Sequence, residues 1–347
     1  MLVHAHCGRQ VVSMPIGVPS LVFLVPLLSL SLSQVACRSS SEYLEDPPPA
    51  PARNDAGGIA LPGSDPGLGS NPVNTPDADP TTPVEDAAPV SMPPAAKPPV
   101  PPRTPGVYWK PTRGMTWDWQ LVTPVSLKNA AQVQVYDIDM FENDATTIAN
   151  LHAMGKKVIC YVNVGCWENW RDDKDNFPKS IIGAQWPDFP DEYWLDITKL
   201  NLIGPPIHAR FQMAADKGCD AIEPDNMDAW DEMAHPPSGF PIKEGDQEIF
   251  NRFVAQMAHD LGMAVGLKND PTQAGLLAQN FDFMVSEQCF EYDECPLLQA
   301  FLDQNKPVFE AEYHWATTMF CPLAKPLGIS AIRKTLGRLD EFREACQ

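Results

Sequence analysis

The sequence predicts an α/β fold, a (β/α)8 barrel set behind a long N-terminal extension. Three observations predict it: eight short β-type runs after Gly106, helical patterns between them, and ionisable side chains gathered where the runs end. The 242 residues from 106 to 347 suit the size of such a barrel.

The runs are Trp117–Leu121, Val133–Ile138, Lys157–Val162, Cys219–Glu223, Met263–Leu267, Phe281–Ser286, Pro307–Ala311 and Gly328–Ile332. Between the second and third, Asn143-Asp144 reads as an N-terminal cap for a helix over Ala145–Met154 that Gly155 stops. Glycines at 218 and 262 repeat that ending. Ile249, Phe250, Phe253, Val254, Met257, Ala258 and Leu261 recur at helical spacing, predicting one apolar face between Asp246 and Gly262. An open doubly wound sheet is the alternative, and the lack of a Gly-rich phosphate loop after the first strand counts against it.

The extension has two parts. Residues 18–32 form an apolar run after Arg9, followed by small residues up to Ala36-Cys37, so residues 1–37 read as a secretory signal, with Met14 an alternative start. Gln34-Val35-Ala36-Cys37 resembles a lipoprotein processing site, which makes Cys37 the candidate lipidation site and the chain an exported one, anchored to a membrane only through that lipid. Gln34 stands where Leu is usual, and plain cleavage nearby is the alternative. Residues 38–105 hold 18 of the 37 prolines and Tyr43 as their sole aromatic, too little apolar surface to offset ordering. They read as a disordered spacer, leaving residues 106–347 as the folded domain.

Formal charge is −20; residues 1–37 carry +1 and residues 38–105 carry −5, which leaves −16 on the domain. That field repels nucleic acid and anionic lipid, and it suits a cationic substrate as well as simple solubility. The domain's seven cysteines are Cys160, Cys166, Cys219, Cys289, Cys295, Cys321 and Cys346. In an oxidising compartment most should pair, and an odd count leaves at least one thiol free. Cys160/Cys166 and Cys289/Cys295 are too widely spaced for a zinc knuckle, and the scattered histidines offer no metal motif, so neither metal nor cofactor is expected.

The strand ends carry the chemistry. They bring together Asp137 and Asp139 (second), Tyr161, Asn163 and Glu168 (third), Glu223, Asp225, Asn226 and Asp228 (fourth), and Lys268, Asn269 and Asp270 (fifth). Glu287 follows the sixth, and Glu310, Glu312 and Tyr313 end the seventh. Barrel active sites form at this face. A single carboxylate there is most simply a cap or loop acceptor, which describes Asp139, Asp228, Asp270 and Glu223 best. Two converging from different strands repel unless used, and Asp225 with Glu287 is the favoured pair, flanked by Glu223 and Asn226 as candidate binders. With the lumen between their strands the two would stand about 5–9 Å apart, and carboxyls so paired cleave glycosidic bonds, one protonating the leaving oxygen and the other attacking or activating water. Lys268-Asn269, from the strand between them, could bind sugar hydroxyls and lower the pKa of a nearby Asp. Trp117, Trp119, Trp167, Trp170, Trp186, Trp194 and Trp315 flank the expected mouth, where some would stack on sugar rings and others serve as core. No Gly-x-Ser-x-Gly elbow competes with this reading.

The segments VQVYDIDMFE (133–142), KVICYVNVGCWENWR (157–171), WLDI (194–197), GCDAIEPDNMD (218–228), GLKN (266–269), SEQCFEYDEC (286–295) and KPVFEAEY (306–313) resemble glycoside hydrolase family 114, secreted endo-α-1,4-polygalactosaminidases. The resemblance covers residues 108–347. It implies a (β/α)8 barrel acting with retention on a cationic amino-sugar polysaccharide, with Asp225 as nucleophile and Glu287 as acid/base. It also implies that Asp137 or Asp139, Tyr161, Lys268, Asn269, Glu312 and Tyr313 line the cleft. Ser286 stands where Asn is common and Cys166 where Ser is common, which leaves the substrate more open than the reaction. A non-catalytic carbohydrate-binding barrel and a hydrolase of another amino sugar or galactoside are the rival expectations.

Overall fold

The computed structural model describes residues 103–346 except 128–131, 188 and 234. Cys37, the signal-like run and nearly all of the spacer fall outside the described residues.

The eight expected runs are eight parallel strands: β1 (Trp117–Gln120), β2 (Val135–Asp139), β3 (Lys157–Asn163), β7 (Ala221–Asp225), β8 (Ala264–Lys268), β9 (Phe283–Glu287), β10 (Val308–Glu312) and β11 (Ser330–Arg333). Each pairs with the next in that order. A ninth strand, β12 (Glu344–Ala345), lies antiparallel on the far edge of β11. There Arg343 donates to the Trp117 carbonyl at 2.8 Å, while the Trp117 indole donates to the Ser330 carbonyl at 2.7 Å. The seam between the eighth and first strands is therefore made by side chains and the C-terminal segment. The sheet curls into the TIM-barrel-like architecture expected.

The sequence reading omits a second, three-stranded antiparallel sheet on the loop after β3. It comprises β4 (Cys166–Glu168), β5 (Ile182–Gln185) and β6 (Glu192–Leu195), in the order β4-β6-β5. Arg210, fully buried on α2 (Leu200–Lys217), fastens this sheet by donating to Glu168 at 3.0 Å, to Asp173 at 2.7 and 2.9 Å, and to the Asn163 carbonyl. Arg171 adds bonds to Glu168 at 2.9 Å and Asp139 at 2.6 Å.

Helices cover the outside: α1 (Ala145–Ala153), α2, α3 (Glu244–Asp260), α4 (Ala274–Leu277), α5 (Gln299–Asp303) and α6 (Thr317–Leu327). Asp144 caps α1 as expected, accepting from the Thr147 N–H at 2.7 Å, and Gly218 ends α2 in the left-handed region. The α3 face buries Phe250, Val254, Met257 and Ala258, whereas Ile249 is exposed.

Alternation along the strands divides the core. Trp117, Trp119, Val135, Ile159, Ala221, Ala264, Phe283, Val285, Phe309, Ala311, Tyr313 and Ile332 fill the lumen, and a larger apolar layer packs between strands and helices. Three disulfides, Cys160–Cys219, Cys289–Cys295 and Cys321–Cys346, leave Cys166 as a buried free thiol, which accounts for the odd count.

Gly266 makes room for the lumen's aromatic layer. A Cβ there would come within 2.3 Å of the Phe283 ring. Gly266→Ala is expected to destabilise the domain by about 1–3 kcal/mol through overpacking, read as a lower denaturation midpoint.

Candidate active site

The period-two alternation that packs the lumen also decides which strand-end side chains face inward. Tyr161, Asp225, Lys268, Glu287 and Tyr313 follow Ile159, Ala221, Ala264, Val285 and Ala311 at even spacing, so they rise from the same inner face. They open into a cleft of about 380 Å³, whose further lining includes Trp119, Trp186, Phe189, Glu192, Asn226, Asp228, His235 and Asn269. The turns leaving the strands are tight. Asn226, Asn269 and Gln288, each just after its strand, all have positive φ, and a Cβ on Gly165 would collide with the Asn226 backbone.

Lys268 is the centre of the cleft floor. Its ammonium lies 2.7 Å from Asp225 Oδ1, 2.9 Å from Glu287 Oε2 and 4.0 Å from Glu223 Oε1. The first two contacts place those oxygens of Asp225 and Glu287 within about 5.6 Å of each other, the sum of the two distances. Burial works against the lysine's charge, but Asp225, Glu287 and Glu223 outweigh it and push its pKa well above the ordinary value.

Around that bridge each carboxylate has its own donors. Tyr161 donates to Asp225 Oδ2 at 2.9 Å. Burial alone would raise Asp225, yet the Lys268 ammonium, the Asn226 N–H and the Tyr161 hydroxyl together hold its carboxyl below the usual range. Glu287 receives the Asn269 amide at 3.1 Å and the Tyr313 hydroxyl, while its own N–H donates to Asn269 Oδ1 at 3.0 Å. Burial and the neighbouring acids raise both tyrosines well above their ordinary values, which keeps them as donors.

The remaining expected residues divide into two groups. Asp137 and Glu223 face the lumen one layer below the cleft and are fully buried; Glu223 Oε2 accepts from the Trp119 indole at 3.0 Å. Asp139 and Glu312 do not reach the cleft. Asp139 is held by Arg171 and accepts from the N–H groups of Phe141 and Glu142, and Glu312 accepts from those of Phe290 and Glu291. Of the tryptophans, Trp119 and Trp186 line the cleft, whereas Trp117 and Trp194 are core.

The sequence reading misses Glu192, at the start of β6. It points into the cleft with Asn163 donating to it at 3.1 Å, and burial, then the charges of Asp225 and Glu168, push it up to about 8. The WLDI motif two residues later is the available signal. His235 also lines the cleft, 2.8 Å from Asp228; burial opposes its protonation, but Asp228 prevails and raises its pKa.

Residues 100–347 match the sequence model of glycoside-hydrolase family GH114. The chain belongs to that family. It is a glycoside hydrolase with the barrel and strand-end carboxylates described above. Among solved structures, Ega3 of Aspergillus fumigatus in complex with galactosamine is 35% identical, with a TM-score of 0.64 over 69% of this chain and 98% of Ega3. The glycoside hydrolase domain of PelA from Pseudomonas aeruginosa, 12% identical, shares the fold with a TM-score of 0.53 over 66% of this chain and 98% of its own. A comparison with curated protein sequences gives no match.

Removing the bridge should expose its role. Lys268→Met takes away the charge that keeps Asp225 ionised, so the acid limb of the pH–rate profile is expected to move to higher pH. At neutral pH, kcat/KM should fall about 100-fold or more, measured as release of reducing ends.

Proposed function

We propose that this chain is an exported endo-hydrolase of α-1,4-linked galactosamine polymers that acts with retention of configuration. The observation that carries the mechanism is the Lys268-bridged pair, whose oxygens lie within about 5.6 Å. Retaining enzymes hold their carboxyls about 5–5.5 Å apart, and inverting enzymes leave room for a water between them.

In this reading Asp225, kept ionised by Lys268, attacks the anomeric carbon while Glu287 delivers its proton to the leaving oxygen, and the glycosidic bond breaks. Glu287, now a carboxylate, takes a proton from water, whose oxygen attacks the anomeric carbon and releases Asp225. Asn269 and Tyr313 fix Glu287 for both steps, and Tyr161 fixes Asp225.

Amino-sugar preference is supported by Ega3, determined with galactosamine, and by the charge in the cleft. Glu192, Asp225, Asp228 and Glu287 all line it; Asp225 and Glu287 share Lys268, and Asp228 has His235, which leaves Glu192, pushed up to about 8, as the carboxyl without a paired cation among the described residues. An ammonium on the sugar supplies that cation and favours the ionised form of Glu192. The signal-like segment and Cys37 support export with a lipid anchor, which intact mass of the mature chain would test by its first residue and added acyl mass.

On deacetylated α-1,4-polygalactosamine, Asp225→Asn and Glu287→Gln should each lower the release of reducing ends by at least about 1,000-fold while the fold persists. Activity surviving both changes, or polymer binding without cleavage by the unaltered protein, would remove the assignment. Proton NMR of the first product should show the α-anomer.

Glu192→Gln is expected to raise KM for the free-amine polymer about tenfold and to leave the N-acetylated polymer unaffected, measured by steady-state kinetics on both substrates.

A further inference from the structure

Beneath the reacting carboxylates lies a second acid pair that the proposed mechanism does not use. Asp137 on β2 and Glu223 on β7 are both fully buried, and both Asp137 oxygens and Glu223 Oε1 have no donor. After burial itself, the charge of Glu223 is the largest influence raising Asp137, and the two side chains rise from the inner face of the strands on either side of β3. The charged and titratable groups facing them are Lys268 from β8, Asp225 from β7, Tyr161 from β3, and Tyr313 from β10; Glu287 from β9 reaches them through Lys268. From β1 comes the neutral Trp119 indole.

Four carboxyls thus surround one ammonium in a water-poor lumen. Full ionisation would leave three uncompensated charges there, which burial forbids. Asp225 has Lys268 and Tyr161 as donors, and Glu287 has Lys268, Asn269 and Tyr313. Asp137 has none, so a proton on one Asp137 oxygen that donates to Glu223 gives each carboxyl a partner and lowers the charge in one step.

We infer that Asp137 and Glu223 share one proton and act as the positioning pair for Lys268, keeping its ammonium raised between Asp225 and Glu287. With the proton in place, Glu223 is a single weak attraction at 4.0 Å below the ammonium. Its loss puts a second negative charge there, draws Lys268 down from the reacting pair and lets Asp225 lose its partner. Burial raises Asp137 well above its ordinary value and Glu223 to about 7, so the proton is lost as pH rises through about 7.

The test compares the unaltered protein with Asp137→Asn, whose amide keeps a donor to Glu223 but has no proton to lose. Because the folded state holds a proton that the unfolded chain gives up near pH 4, stability falls as pH rises from about 5 to about 7. Asp137→Asn should lack that component, a difference approaching tenfold in the unfolding equilibrium constant per pH unit, read by chemical denaturation without any substrate. Its alkaline activity limb should also move up by about one pH unit. Equal stability slopes in the two proteins would overturn the shared proton; unequal slopes with an unmoved alkaline limb would overturn its action on Lys268. Glu223→Gln reads the same two quantities should Asp137→Asn fail to fold. The slopes need no polymer, so a failure to cleave galactosamine polymers would count against the proposed function and not against the pair.

Discussion

One ammonium organises the site. Lys268 is buried at the floor of the cleft within 2.7–4.0 Å of three carboxylates from β7 and β9, and it is what permits them to stand together. Without a cation, two acids converging across a lumen would repel, and at least one would take up a proton. With it, Asp225 sits below its ordinary pKa although burial pushes the other way. The same ammonium limits the separation of the Asp225 and Glu287 oxygens, so the charge balance and the spacing of the pair come from a single side chain.

The scaffold makes that side chain's position reproducible. Parallel pairing fixes the register of β7, β8 and β9, and the pleat then sends Asp225, Lys268 and Glu287 inward at their strand ends. The lumen beneath is filled in layers by aromatic and small residues together with Asp137 and Glu223. Gly266 illustrates the tolerance: one added carbon would meet the Phe283 ring two residues below Lys268.

The eight strands were legible because each is a short apolar run bounded by turn residues, and the candidate site was legible as a cleft because ionisable groups gather at one end of those runs. Parity marks what that reading left unresolved. Glu312 and Tyr313 are adjacent on β10, so the pleat sends only one of them inward; Tyr313 shares the inner face with Phe309 and Ala311, and Glu312 turns out to hold the loop after β9. Asp139 is on the inner parity, yet the cation it meets is Arg171, from a loop far along the chain. No spacing within the strand reports such a partner. The antiparallel sheet was missed for a related reason: three strands of three or four residues, paired out of chain order, give too little periodicity to register.

That sheet carries more than its size suggests. Its strand β6 brings Glu192 to the cleft, and its strand β4 ends on Glu168, which shares Arg171 and Arg210. Arg210 is fully enclosed and already bonded to Asp173 and the Asn163 carbonyl, so it is unable to follow a shifted β4 without leaving a buried charge unpaired. Breaking such a contact costs about 3–5 kcal/mol, far more than an exposed ion pair contributes. The wall of the cleft that carries Glu192 is therefore held by a charge network away from Asp225 and Glu287. Asn163 joins the two, since its carbonyl binds Arg210 while its amide binds Glu192. The floor and the wall of the cleft thus rest on separate buried cations, Lys268 for the first and Arg210 for the second.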